Sequence, residues 1–454
     1  MSGDDTGDQE NGTGRRKRPF PLLLLLLLLG LLGWWSLPHL IRALPSPVRY
    51  RLPDPLLALV TTPVPTALPA PTRLRPAPTI VLPTLAPSPT PTLPPTFTPP
   101  PTSVMVTAVP TPAPSHTPSP TLTATPLPPT VFIEGIGSVP QHFNNCGPAN
   151  LTQVLNFYGV DVTQQDVAAA IRPAYDDRNV SPWEIVAYVQ QQTSLQAATF
   201  VGGDLPLLQR LLAAGFPVIV EQGLVLADED TGWMGHYLTL FGYDAGAQQF
   251  WALDTFLGPF DSVGRREDFA PFAQYWRHFN NRFVLIYPVE AETAVLSLLG
   301  PAFADPLIMW QTSAEAAQTA ITTSPADPYA WFNLGSSLTH LGQLTGEATY
   351  FEQAAASFDE ARRIGLPWRM LWYQFEPYEA YLRNGRYDDV FLLTDALLAT
   401  EGGRYVEENF LYRGLAYQMQ GDTARARSAY ARGLEINPSH AELLAAQAML
   451  PAEP

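Results

Sequence analysis

The sequence predicts an α+β domain followed by an all-α helical array, both placed behind an N-terminal apolar segment and a long proline- and threonine-rich stretch. Three observations carry this reading. Residues 42–130 are dominated by Pro, Thr and Ser and offer little to a packed core. From residue 131 onward helical periodicity gives way to β patterning near residue 216. After residue 306 a helix-pair pattern recurs at a regular spacing.

At the N-terminus, Arg15, Arg16, Lys17 and Arg18 precede an apolar run from Pro19 to Leu37, about 19 residues and so about the length that crosses a hydrocarbon core as a helix. Trp34 and Trp35 fall where the far interface would lie. The basic cluster predicts a cytoplasmic tail at residues 1–18, a transmembrane anchor at 19–41, and a single-pass cell-membrane protein with its folded domains outside the cytoplasm. No small-x-small cleavage site follows the run, which favours an anchor over a cleaved signal peptide. Residues 42–130 repeat Pro-Thr, Pro-Ser and Thr-Pro pairs, which predicts a disordered linker rich in polyproline II. At about 3.1 Å per residue such a stalk reaches on the order of 250 Å when fully extended.

The net charge is −16 over 454 residues. The first 130 residues carry nine basic and five acidic side chains, +4, so the remainder stands at −20. That balance argues against nucleic acid as a partner. Cys146 is the sole cysteine, which excludes an intrachain disulfide and a cysteine-based zinc site.

Residues 131–289 form the first predicted domain. In the segment from Cys146 to Gly159 apolar residues stand at 151, 154, 155 and 158, the spacing of one helix face, with Pro148 in the first turn and Gly159 as the stop. Cys146 therefore sits at a helix N-terminus, where unpaired N–H groups and the positive end of the dipole favour a thiolate. Further helices are expected at 163–171, at 182–192 behind the capping box begun by Ser181, and at 205–214. Strands follow at Phe216–Gln222, His236–Asp244, Phe250–Thr255 and Arg282–Tyr287. Pairing across a tight turn at 244–249 would set Asp254 nearer Thr239 than His236, so the imidazole and carboxylate meet only if the register shifts or the loop widens.

A helical half with Cys at a helix start, followed by a sheet carrying His and Asp, is the plan of papain-like enzymes. Gln141, then Cys146-Gly147-Pro148-Ala149, Tyr158-Gly159, the run His236 to Tyr243 and finally Asp254 resemble the stand-alone form of the bacteriocin-processing cysteine peptidase family over about 150 residues. The resemblance implies a Cys146 nucleophile, a His236 general base, Asp254 orienting the imidazole, and Gln141 as oxyanion donor beside the Cys146 N–H. It implies no metal or organic cofactor. The family often has proline after the aspartate, where this chain has Thr255. His142 and His278 are the lesser histidine candidates, while Trp183, Trp233 and Trp251 read as core or cleft wall.

In residues 306–454, Phe410, Gly414, Tyr417, Gly421, Ala426, Tyr430 and Pro438 fall at the spacing of a tetratricopeptide-type repeat. An earlier copy begins at Trp331 and ends near Arg362, a degenerate one runs from about Pro367 to Thr400, and a front helix is expected near Ser313–Thr323. The copies predict a solenoid with one continuous core, whose concave face either binds a peptide or protein partner or only stacks and spaces. Trp368, Trp372, Tyr373, Phe375, Tyr378 and Tyr381 concentrate aromatics that serve either a groove or the core. The expected activity is thiol-dependent amide hydrolysis of a peptide or protein substrate. A non-catalytic peptide- or wall-binding module, or an assembly scaffold using the same cleft and repeats, is the alternative.

Overall fold

The computed structural model describes residues 33, 35–37, 39–41, 67–71, 126–225, 232–400 and 402–451. The chain divides into Met1–Pro65 and Thr66–Pro454. Most of the predicted anchor at 19–41 and of the linker at 42–130 lies outside the described residues. Among the described residues no helix is long and apolar enough to cross a membrane.

Within Thr66–Pro454 the elements begin with β1 (Thr130–Phe132), α1 (Cys146–Phe157), α2 (Gln164–Ile171), α3 (Pro182–Gln192), β2 (Leu195–Phe200) and α4 (Leu205–Ala213). Then come β3 (Val218–Val225), β4 (Trp233–Asp244), β5 (Gln249–Leu253), β6 (Arg265–Asp268), α5 (Phe269–Trp276) and β7 (Phe283–Pro288). The predicted helices and four predicted strands are present within a few residues of their expected bounds. Periodicity missed β1, β2 and β6, which are three to six residues long and, in β2, interleave Ala and Gln with few large apolar side chains.

All strands pair antiparallel, in the order β2-β7-β3-β4-β5-β6, and β1 takes over from β3 along the last residues of β4. Strand β4 is central and nearly all buried, because both faces are covered. Helix α1 packs on it through Leu151, Val154 and Leu155, each fully buried, at the helical spacing read from the sequence. At Gly147 an added Cβ would lie 2.9 Å from Val180 Cβ, so glycine lets the start of α1 close against the 177–181 loop.

The helical region continues with α6 (Glu292–Leu299), α7 (Pro301–Ala304), α8 (Pro306–Thr323), α9 (Pro328–Thr345), α10 (Ala348–Ile364), α11 (Glu376–Arg383), α12 (Tyr387–Leu398), α13 (Glu407–Met419), α14 (Thr423–Ile436) and α15 (Ala441–Ala448). The front helix is longer than its expected span, starting at Pro306 behind the Asp305 cap. In the degenerate middle copy, residues Trp368–Trp372 form a 3₁₀ turn instead of α-helix and lean on β4, which is why its pattern is weak. Of the aromatic concentration, Trp372, Tyr378 and Tyr381 are core, so helical spacing outweighed groove lining there.

A buried arginine helps tie the helical region to the sheet. Arg282 on the approach to β7 pairs with Glu221 at 2.8 Å and reaches Glu376 of α11 at 3.5 Å. Burial drives Glu221 up to about 7 against the pull of Arg282. Within the stretch expected to be wholly solvated, residues 67–71 depart from that expectation. Leu68 is buried and its N–H donates to Leu366 O at 2.9 Å, while Arg362 Nε donates to Pro69 O at 2.9 Å. Leu68, between Ala67 and Pro69, gains more from this apolar seat than from water.

Candidate active site

Cys146 is the first residue of α1 and is half-exposed. The preceding Asn145 does not cap the helix through its side chain. Its Nδ2 donates to Gln164 Oε1 at 2.9 Å, and its Oδ1 accepts from Arg172 Nε at 2.7 Å. The first-turn N–H groups are thereby kept from a side-chain cap, and the dipole's positive end faces the sulfur. Buried Arg172 adds a positive field that reaches Cys146.

His236 lies in β4 and Asp254 just beyond β5. The paired residues run Asp244↔Gln249, Tyr243↔Phe250 and Gly242↔Trp251, then a bulge between Leu240 and Gly242 shifts the pairing to Leu240↔Ala252 and Thr239↔Leu253. One step further, Asp254 falls opposite Leu238, the residue two from His236 and on the same face. Without the bulge it would face Thr239, on the opposite face. The extra residue converts a mismatched pair into a diagonal neighbour within side-chain reach. Beside the bulge, Gly242 lets β1 close against β4, because a Cβ there would meet Val131 O at 2.5 Å. The tight-turn difficulty is resolved by this shift.

His236 Nε2 and Asp254 Oδ1 are 3.0 Å apart, and both groups are buried. The other ring nitrogen is left for Cys146, whose sulfur lies within electrostatic reach of the imidazole. Burial opposes charge on the imidazole, but the Asp254 carboxylate, its hydrogen bond and the Cys146 sulfur together push His236 up to about 10. Burial would likewise raise Asp254. The His236 charge and hydrogen bond, with N–H donors from Leu257 and Phe256 at 2.9 Å each, hold it down to about 2. Arg265 adds an ion pair to Asp254 Oδ2 at 3.0 Å. Carboxylate and imidazole thus form one buried pair whose field reaches the sulfur.

Gln141 is fixed from two sides by Thr255. Its N–H donates to Thr255 O at 2.7 Å, and Thr255 Oγ1 donates to its Oε1 at 2.8 Å. The direction of the second bond follows from Asn150, a fully buried residue. Its Nδ2 donates to Cys146 O and Tyr237 O at 2.8 and 2.9 Å, and to Thr255 Oγ1 at 3.3 Å. Two carbonyl partners take the Asn150 amide protons, one of them shared with Thr255 Oγ1, and the hydroxyl's own proton goes to Gln141 Oε1. The carbonyl end of Gln141 is thereby occupied, and its NH2 end is the one left for a ligand. Thr255, the departure from the family's usual proline, has work that proline lacks the hydroxyl to do.

The structure brings Gln141, Cys146, His236 and Asp254 together. The lesser histidines are elsewhere: exposed His142 meets Gln165 at 3.1 Å, and His278 accepts from Trp233 Nε1 at 3.0 Å and stacks on Tyr329. Trp233 is core, as expected, whereas Trp183 is 42 % exposed. Sequence reasoning missed Asn150, Arg172 and Tyr373. Asn150 sits four residues after Cys146 on the same helix face, a legible signal for a side chain that touches the Cys146 turn. Tyr373 stands in the sequence only within the aromatic concentration, with nothing to tie it to the site; it packs on Gly235 next to His236 and carries the helical region to within the electrostatic reach of Cys146.

No curated protein matches the chain. Among solved structures it is similar to a protein described as a C39-like peptidase from Bacillus anthracis, at 16% identity and a TM-score of 0.29, covering 35% of this chain and 96% of that one. It is also similar to the peptidase domain of Streptococcus ComA, a bifunctional ABC transporter involved in a quorum-sensing pathway, at 19% identity and a TM-score of 0.26, covering 34% and 99% respectively. Residues 133–284, the stretch that holds Gln141, Cys146, His236 and Asp254, match the model of the Peptidase_C39 like family, so this part of the chain, on its antiparallel sheet with a helical region after it, is similar to C39-like peptidases.

Proposed function

We propose that the chain is a cysteine peptidase in which Cys146 is the nucleophile, His236 the general acid and base, Asp254 the group that orients and charges the imidazole, and Gln141 the oxyanion donor. The observation that carries this reading is the buried Asp254–His236 pair within electrostatic reach of Cys146, beside a Gln141 amide whose carbonyl end is already taken. The thiolate attacks the peptide carbonyl carbon, and the electron pair of the C=O bond moves to oxygen. Gln141 Nε2 and the Cys146 N–H receive that charge. The imidazolium then protonates the departing amine, leaving an acyl-enzyme that water hydrolyses with His236 as base.

A peptide library presented to wild type and to Cys146→Ser tests the assignment. Wild type is expected to cleave, and Cys146→Ser to bind the same peptides without cleaving. A peptide that binds both tightly and is cleaved by neither makes the cleft a recognition module. Gln141→Ala is expected to slow turnover by about 10² to 10³, the cost of one oxyanion donor, while leaving Cys146 alkylation near its wild-type rate. Thr255→Val should reproduce part of that loss, because the Gln141 amide is then free to turn.

The same reading places the enzyme in the cell membrane through residues 19–41, on a proline-rich stalk, with tetratricopeptide-like repeats at 306–454 recruiting a protein partner or presenting a protein substrate to the cleft. The basic cluster at residues 15–18 supports this orientation. A reporter fused after Thr130 should be active only outside the cytoplasm. Cytoplasmic activity would overturn the anchor and its topology without touching the peptidase assignment.

A further inference from the structure

Residues 67–71 of the proline-rich stretch lie on the helical region, and their burial repeats every third residue. Ala67 and Ala70 are exposed, Leu68 and Pro71 are buried, and Pro69 is half-buried. The segment belongs to no helix or strand. A polyproline II helix turns once in three residues, so Leu68 and Pro71 share one face, turned to the helices, and the two alanines share the solvent face.

The helical region offers this face two fixed groups. Arg362 of α10 is 3 % exposed, and its Nη1 donates to Tyr381 Oη at 2.9 Å and to Asp389 Oδ1 at 3.2 Å. Those bonds hold the guanidinium so that Nε meets Pro69 O at 2.9 Å. Leu366 stands between the Gly365 cap of α10 and Pro367, outside the helical turns on either side, so its carbonyl is left for an outside donor. It takes the Leu68 N–H at 2.9 Å. The Leu68 side chain joins the buried apolar cluster that also contains Leu366 and Tyr381.

We propose that this surface of the helical region is a receptor site for a Leu-Pro-x-Pro segment in the polyproline II conformation, filled in cis by Leu68–Pro71. Each part of the pattern has a use there. The leucine and the second proline enter on the buried face, and the first proline presets the backbone while its carbonyl meets Arg362. The x position, Ala70, faces solvent. A segment that is already extended loses little conformational freedom on docking, so a short contact suffices. The same pattern stands at Leu44–Pro47 and Leu52–Pro55 and nowhere else in the chain. Its x position there is Ser46 and Asp54, polar residues that suit a solvent-facing place.

A filled site changes what the stalk does. Residues 42–66, rather than 42–130, then separate the expected anchor from the folded part. At about 3.1 Å per residue the fully extended reach falls from on the order of 250 Å to about 80 Å. This consequence rests on the membrane anchor proposed above, whereas the peptide site does not.

The probe is a fluorescein-labelled peptide of residues Thr66–Thr72, followed by anisotropy on the full chain. Because the pattern occurs three times, the site is vacated by Leu44→Asp, Leu52→Asp and Leu68→Asp together. The vacated chain should bind the peptide saturably, and wild type at least about tenfold more weakly, since its own segment competes at an effective concentration in the millimolar range. A peptide carrying Leu68→Asp should not bind, and that control leaves the protein's folding untouched. Arg362→Lys in the vacated chain keeps a charge beside Asp389 but loses the Nε donor, and should weaken binding by about tenfold. No saturable binding to the vacated chain, or equal binding of the Leu68→Asp peptide, overturns the site. Equal affinity of wild type and vacated chain overturns its filling in cis. A wild-type site that opens on dilution makes the occupant a second copy and also overturns the cis assignment.

Discussion

His236→Ala is expected to reduce turnover to within reach of the Cys146→Ala background, a loss on the order of 10⁶, because nucleophile and base act as a unit and removing either removes the reaction. The same substitution should slow alkylation of Cys146 by iodoacetamide near pH 6 to about the rate of a free thiol. In wild type His236, the α1 N-terminus and Arg172 behind it surround the sulfur with positive charge. Wild-type alkylation no faster than free cysteine would remove the nucleophile from the proposal. The pair also shapes stability. His236 rises from about 6.5 to about 10 on folding, so its contribution is complete below about pH 6.5 and drains away as pH climbs through about 10. Asp254 falls from 3.8 to about 2, so its contribution is complete above about pH 4 and is lost as pH drops through about 2. Thermal unfolding followed across pH should show these two limbs flatten in His236→Ala.

The nucleophile helix was legible because its signals are local: three fully buried apolar residues at helical spacing, a proline allowed in the first turn and a glycine stop. The long apolar strands were legible for the same reason. What sequence reasoning left open was relational. Whether Asp254 meets His236 turns on one bulged residue between Leu240 and Gly242, and a register shift of one leaves no compositional trace. Thr255 looked like a defect in the aspartate motif and proves to hold Gln141, which only the position of Asn150 on a neighbouring element reveals. The middle helical copy looked degenerate because residues 368–372 abandon the α-helix to lean on β4, a tertiary override of a local pattern.

Asp254→Asn separates orientation from charge. The amide oxygen can still accept from the Phe256 and Leu257 N–H groups, so the loop after β5 should keep its shape. The negative charge that raises His236 is gone, and the NH2 end confronts Arg265 Nη1 where Oδ2 had paired with it. His236 should then fall from about 10 toward its ordinary value near 6.5. Turnover at neutral pH should drop by up to about 10⁴, the scale seen when the orienting carboxylate of a triad is made neutral. Most of the loss should appear in kcat, since Asp254 is 2 % exposed and does not face substrate. The decisive readout is the alkaline limb of the alkylation profile. It should move acidward by more than two pH units as the imidazole loses its countercharge, whereas a merely structural role for Asp254 would lower Tm and leave that limb in place. An unmoved limb would transfer control of the imidazole from Asp254 to another group.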